Sequence, residues 1–358
     1  MPSPRSRRRR KPPYRPKTSL APLVGDVWRR RYASLRLYSP AGADSLPGMR
    51  FPMARFAFPS GAAMGDYLEA YAERFALPVR TGVIVDGLER ADGGYRVSAG
   101  DRAFDASQVV IATGTFGKPF TPPFAGELDP AIRQMHSAEY RDTTSVGEGW
   151  TLVVGLSHSG SDIAHELARA GRRVTVAGKG HGQIPVSIDR WAGPRVVFPI
   201  MRYVLPRVLN ADTPMGRRAR AALRHGGPPL LRYRRQELSA AGVELTPSRV
   251  SGVVEGRPQL DDGRVLDVEN IVWATGYRPD FSWIHLPVFG DDGSPRHYRG
   301  VVAGEPGLYF VGLPFLYSFG SMLVFGAGKD GRYVADRIGE RLTAARPAGA
   351  SARGAAAS

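Results

Sequence analysis

The chain has 358 residues, 42% of them apolar, which is enough for two domains with real cores and excludes a disordered protein. It has no cysteine, which excludes disulfides, thiolate metal sites and Cys-x-x-Cys redox chemistry, and no metal site is expected. The net charge of +16 is uneven: residues 1–17 hold eight Arg or Lys and no acid, half of the total. Such a run suits nucleic acid or an anionic membrane, but a solvated tail accounts for it, and no nucleic-acid partner is expected. No apolar segment follows the basic start, so it does not read as a secretory signal, and a cytoplasmic protein is expected.

In chain order, residues 1–22 show neither a helical nor a strand period. Residues 25–38 read as ordered. Residues 46–59, with repeated Leu-Pro and Phe-Pro pairs, read as an irregular surface loop. Residues 64–75 form an amphipathic helix with Leu68, Tyr71, Ala72 and Phe75 on one side. Residues 77–106 read as short strands and turns, one strand over 83–85 and another over 95–97. A buried strand over 109–114 ends in Ala-Thr-Gly, and a near-copy lies at 271–276. A strand with that ending brings bare backbone against a cofactor or a domain crossing, which makes Thr113, Gly114, Thr275 and Gly276 candidate contacts. The two copies flank the most informative stretch, as expected of a nucleotide domain inserted into another domain.

That stretch runs over residues 151–177. Leu152, Val153 and Val154 make a short strand, and Ile163, Ala164, Leu167 and Ala168 then recur at helical spacing. Gly171 closes the helix and residues 172–177 read as the next strand, completing a βαβ unit. The turn reads Gly155-x-Ser157-x-x-Gly160. Gly155 allows the tight turn, Gly160 lets helix and strand pack closely, and Ser157 is small enough for backbone to approach a pyrophosphate. Ser159 and Gly160 open the helix, where free N–H groups and the positive dipole end favour an anion. The competing readings are a βαβ unit without a ligand and a nucleophile elbow at Ser157. The elbow fails because position 159 is Ser rather than Gly. NAD sites place an acid about 20 residues after the first glycine. Residues 174–180 hold none, while Lys179 closes that stretch and Arg172 and Arg173 stand before it. Cations there suit a 2′-phosphate, so NADPH is expected over NADH unless they are solvated turn charges.

Residues 185–235 are basic, aromatic and Pro-containing, and read as helices and loops over a site mouth without resolved boundaries. Short strands return at 243–245 and 250–254. Residues 307–328 form an uncharged run of 22, but five glycines and Pro314 interrupt it. A strand, a loop and a buried helix start explain it better than a membrane span. A last helix covers 331–342.

The turn at 155–160, both Ala-Thr-Gly strands and the Leu-Tyr-Phe-Val-Gly strand at 308–312 resemble the flavin-containing monooxygenases, nearest the bacterial and plant auxin-forming branch. Residues 25–28 with 34–37 are similar to that family's flavin-contacting loop, so the resemblance adds Trp28, Arg29 and Gly312 as flavin-side residues. It implies an α/β fold with two Rossmann-like dinucleotide-binding domains. An NADP domain at 147–276 is inserted into an FAD-type domain at 23–146 and 277–342, between a basic tail at 1–22 and a disordered tail at 343–358. It also implies FAD and NADPH as cofactors, with O2 and a small organic molecule as substrates. NADPH reduces the flavin and one oxygen atom passes to the substrate. The cofactor carries that chemistry, so the catalytic side chains stay unassigned. The family signature is matched in part, by Phe124, Gly126, His136 and Tyr140. His136 reads equally as a signature residue or as a loop histidine with a structural hydrogen bond. The family opens on a strand, a Gly-x-Gly-x-x-Gly turn and a helix for the FAD pyrophosphate. Residues 1–22 contain no glycine, so the FAD-type domain reads as N-terminally incomplete. A flavin reductase or NADPH oxidase, and an NADP-binding protein without activity, are the alternatives.

Overall fold

In the computed structural model, which describes residues 23–225 and 229–344, the N-terminal elements pack through glycines. Helix α1 (Asp26–Arg29) meets α2 (Gly61–Arg74) so closely that a Cβ at Gly25 would lie 2.3 Å from the Gly65 carbonyl oxygen. The Ser60 side chain accepts from the Ala63 amide and caps α2, which therefore starts ahead of its apolar period. The loop before it is irregular as expected, yet Phe51 and Phe58 are buried. Strands β1 (Gly87–Ala91), β2 (Gly94–Ala99) and β3 (Arg102–Ala106) form an antiparallel sheet. The strand expected at 83–85 is absent: Ile84 and Val85 are exposed, and among the described residues this segment has neither a core to face nor a strand to pair with.

Next come β4 (Val109–Ile111), β5 (Lys118–Pro119), β6 (Arg133–His136), β7 (Thr151–Val154), α3 (His158–Arg169) and β8 (Val174–Ala177). Two π-helical turns, Gly193–Val197 and Ile200–Val204, run into α4 (Leu205–Val208). Helices α5 (Pro214–His225) and α6 (Arg235–Ala240) follow, then β9 (Val243–Thr246), β10 (Val250–Val254) and β11 (Arg257–Leu260). The chain continues through β12 (Asn270–Trp273), β13 (Tyr277–Arg278) and β14 (Leu308–Phe310). It ends in α7 (Val324–Ala344), which starts earlier than expected and takes in residues 343 and 344. The rest of both expected tails lies outside the described residues.

The main sheet has the order β6-β12-β7-β8-β9 and is parallel throughout. Strands β7, β8 and β12 are buried along their whole length, as their nearly unbroken apolar runs require of strands covered on both faces. Ile163, Ala164 and Leu167 of α3 are fully buried against this sheet. The sheet takes its edge strand β6 from ahead of residue 147. A second parallel pair joins β4 to β14, with Val109 opposite Leu308 and Ile111 opposite Phe310. The two Ala-Thr-Gly strands thus differ in surroundings. β12 is covered on both faces, whereas Val110 of β4 is 42% exposed and Thr113 is exposed. The expectation of a buried strand over 109–114 is corrected to a three-residue strand with only Ile111 buried. The uncharged run at 307–328 resolves into β14, a loop, a 3₁₀ turn at Phe319–Met322 and the start of α7. Among the described residues no helix is long and apolar enough to cross a membrane.

Candidate nucleotide-binding site

The turn between β7 and α3 sits at the carboxyl end of the parallel sheet, where open α/β sheets bind ligands. Gly155 holds φ +111°, and a Cβ there would lie 2.5 Å from the Ala274 carbonyl oxygen. At Gly160 an added Cβ would stand 2.0 Å from the Gly155 carbonyl oxygen, so only glycine lets α3 start this close to β7. The first intrahelical bond runs from the Ser161 amide to the Ser157 carbonyl, leaving the amides of His158, Ser159 and Gly160 without intrahelical partners. Ser157 is a favoured capping residue, yet its side chain makes no capping bond. Three amides, a positive helix end and glycine-cleared space form a cradle that fits a pyrophosphate. His158 adds no charge there. Burial pushes its imidazole down to about 4, and the ring is placed with Nε2 donating to the Pro229 carbonyl at 2.9 Å.

Lys179 follows the end of β8 beside this turn, exposed and paired with no carboxylate among the described residues. The Arg235 guanidinium donates to the Lys179 carbonyl and fixes that backbone. The structure does not bring Arg173 to the same place. It precedes the opposite end of β8, stacks over Trp150 at 3.8 Å and lies 3.7 Å from Glu244, so its grouping with Lys179 is corrected.

Thr275 and Gly276 lie where the chain leaves the main sheet. The Gly276 carbonyl accepts from the Phe120 amide at 2.9 Å and from His136 Nε2 at 3.0 Å. His136 Nδ1 accepts from the Ala138 amide at 3.1 Å. With both ring nitrogens on backbone, His136 ties the end of β6 to the end of β12. Burial lowers its pKa. Tyr140 is fully buried and sits edge-on to Tyr32, while Phe124 packs edge-on to Trp273 near Gly126 in a 3₁₀ turn. Tyr140 and Phe124 serve packing in this structure, whereas Gly126 is exposed.

At the smaller parallel pair, Gly114 and Gly312 both hold positive φ at the strand ends, and nothing lies within 4 Å of a Cβ at Gly312. Trp28 packs onto the cluster of Met64 and Tyr67. All three Arg29 guanidinium nitrogens are engaged: Nε with Asp66 at 2.9 Å, Nη1 with the Val24 carbonyl at 2.9 Å, and Nη2 with Glu69. Arg29 therefore ties α1 to α2. The described residues contain one strand, glycine turn and helix unit, at residues 151–169. For FAD they offer strand ends without a second pyrophosphate cradle.

Sequence reasoning missed a buried polar cluster directly below the nucleotide turn. Asp162 Oδ2 accepts from the Tyr32 hydroxyl at 2.8 Å and the Tyr38 hydroxyl at 2.7 Å. Arg232 Nη1 lies 3.7 Å from the same oxygen. The guanidinium also donates to Asp189 at 2.9 Å and to the carbonyls of Arg36 and Leu37. Burial pushes the Asp162 carboxyl up to about 6, against the pull of Arg232 and the two phenols. The cluster clamps α3 to the segments around residues 32–38 and 231–234. Its one sequence signal is a carboxylate among the inward positions of α3.

Residues 48–204 match the family described as pyridine nucleotide-disulphide oxidoreductase. An uncharacterized CzcO-like oxidoreductase of Geobacillus kaustophilus is 33% identical, with 88% of each chain covered. The probable indole-3-pyruvate monooxygenase YUCCA3 of Arabidopsis thaliana is 25% identical, over 90% of this chain and 80% of that protein. A flavin-containing monooxygenase from Stenotrophomonas maltophilia shares the fold, with TM-score 0.65, 24% identity and 88% coverage of both chains.

Proposed function

The chain belongs to the flavin-containing monooxygenase family, and from that premise we propose that it is an NADPH- and FAD-dependent enzyme transferring one oxygen atom from O2 to a small organic substrate. When bound, FAD would supply the redox and oxygen chemistry, with NADPH as the electron source. The chain's own residues bind and orient. The amides of His158, Ser159 and Gly160 hold the NADPH pyrophosphate, and Lys179 selects the 2′-phosphate. His136 and the Gly276 carbonyl fix the crossing between the main sheet and the strand pair that carries Gly114 and Gly312. The observation carrying the reading is the turn itself, cleared of side chains at Gly155 and Gly160 and left uncapped by Ser157.

The test supplies the purified chain with FAD, NADPH and isotopically labelled O2, against a panel of small carbonyl compounds and soft nucleophiles. Substrate-dependent NADPH oxidation with one labelled oxygen in the product is expected. NADPH oxidation yielding only reduced oxygen, whatever the substrate, assigns an oxidase or flavin reductase instead. An absence of any NADPH oxidation removes the enzymatic reading of this chain.

A further inference from the structure

The helical segment from residue 192 to 208 carries an outer face that the nucleotide site does not use. Its inner face is firmly docked. A Cβ at Gly193 would lie 2.0 Å from the Ile188 carbonyl oxygen, and Phe198 is buried edge-on to Phe325 at 5.3 Å. The outer face recurs about every four residues, as π-helical turns dictate. It presents Val196, Ile200, Val204 and Val208, which are 49%, 47%, 50% and 39% exposed, with Trp191 at 73% at one end and Tyr203 at 53%. Exposed Phe56 continues the patch, with Arg195 over its ring at 4.6 Å. A run of exposed apolar side chains on a soluble domain marks an interaction surface.

The charges around the face choose the partner. Residues 190–211 contain Arg190, Arg195, Arg202 and Arg207 and no acid. Arg195 and Arg207 are exposed and fold back onto the carbonyls of Trp191 and Tyr203 along the apolar face. Asp189 is engaged by Arg232, and Asp212 accepts from the hydroxyls of Tyr298 and Tyr317. A second copy of the chain would bring arginines against arginines, with no carboxylate on the helix to neutralise them. An anionic lipid surface supplies counter-charge at the rim and an apolar boundary for the valines and isoleucine. Aromatics with a polar edge, such as Trp191 and Tyr203, suit the headgroup level. We infer that the 192–208 helix is an interfacial membrane-docking element that lies in the plane of an anionic bilayer.

The test is sedimentation of the full chain with large unilamellar vesicles of equal phosphatidylglycerol and phosphatidylcholine, against pure phosphatidylcholine. Binding to the anionic vesicles is expected, and at least tenfold weaker for Ile200→Asp with Val204→Asp and for Arg195→Gln with Arg207→Gln. Both pairs sit on the exposed face and should keep the wild-type melting temperature; the milder Ile200→Ser with Val204→Ser serves if the aspartates unfold the chain. Quenching of tryptophan fluorescence by brominated lipid should fall in Trp191→Phe. Three results overturn the inference. One is an absence of binding to anionic vesicles. Another is binding that the face variants leave unchanged, which assigns the attraction to cations elsewhere, such as residues 1–17. The third is lipid-free self-association that the aspartate pair abolishes, which assigns the face to a second copy.

Discussion

Gly160→Ala adds one methyl group at the most crowded point of the nucleotide turn. The new Cβ would stand 2.0 Å from the Gly155 carbonyl oxygen and 3.3 Å from the Ala274 side chain. Ordinary contact to that oxygen needs about 3.3 Å, so α3 must retreat from β7 by roughly 1 Å or the turn must reshape. Overpacking of this kind costs about 1–3 kcal/mol of stability. The larger effect falls on binding, because the retreat displaces the amides of His158, Ser159 and Gly160 from one anion. Each charge-assisted bond contributes about 1.5–3 kcal/mol, so losing one or two costs about 1.5–6 kcal/mol and weakens NADPH by roughly tenfold to ten-thousandfold. Fluorescence titration of NADPH measures this, with melting temperature as the fold check. Gly171→Ala is the control. Gly171 holds φ +78° with nothing within 4 Å of its Cβ, so the change strains the backbone by about 1–2 kcal/mol without touching the turn. If Gly160→Ala binds NADPH as the wild type does while Gly171→Ala melts lower, the turn does not hold the cofactor.

Other outcomes follow from the same geometry. Lys179→Ala should weaken NADPH by roughly tenfold, about 1–2 kcal/mol, and leave NADH unchanged; equal losses mean that the lysine does not read the 2′-phosphate. Arg232→Met leaves Asp162 and Asp189 without their buried cation, which should cost about 3–5 kcal/mol and lower the Tm by roughly 10 °C. A Tm within a degree or two of wild type refutes the clamp. His158 holds a folded pKa of about 4 against an ordinary 6.5, so the unfolded chain takes up the proton first and stability is lost as pH falls through that window. His158→Gln should therefore close the gap to wild type, or overtake it, between about pH 7 and about pH 5, and a constant gap contradicts the shift. With no second pyrophosphate cradle among the described residues, the 358-residue polypeptide should purify with well under one FAD per chain. A stoichiometric flavin absorption spectrum contradicts that.

The β7–α3–β8 unit was legible because three signals coincide there: an apolar run, glycines at turn spacing and a 3.6-residue period. The strand at β12 was legible from its apolar run alone, since Ile271, Val272 and Trp273 are apolar and buried. The identical ending at 109–114 misled, because apolar residues report a preference for burial and not the neighbours that provide it. Val110 has that preference and is exposed. Arg173 was misplaced because closeness along the chain says nothing about which end of a strand a residue occupies. The 192–208 helix was illegible because Pro199 and Pro206 punctuate it and its π turns shift the period from 3.6 toward four residues. The Asp162 clamp was out of reach because its cation, Arg232, lies 70 positions downstream, in a stretch without a clear helical or strand period.

Hydrogen–deuterium exchange with and without saturating NADPH tests the central claim most directly, because it reports where the cofactor meets the backbone. Protection should appear at the amides of residues 158–160 and around residues 178–181, with little change in β1, β2 and β3. Saturable NADPH binding that leaves residues 158–160 exchanging as in the free protein would place the nucleotide elsewhere and contradict the assignment of this turn.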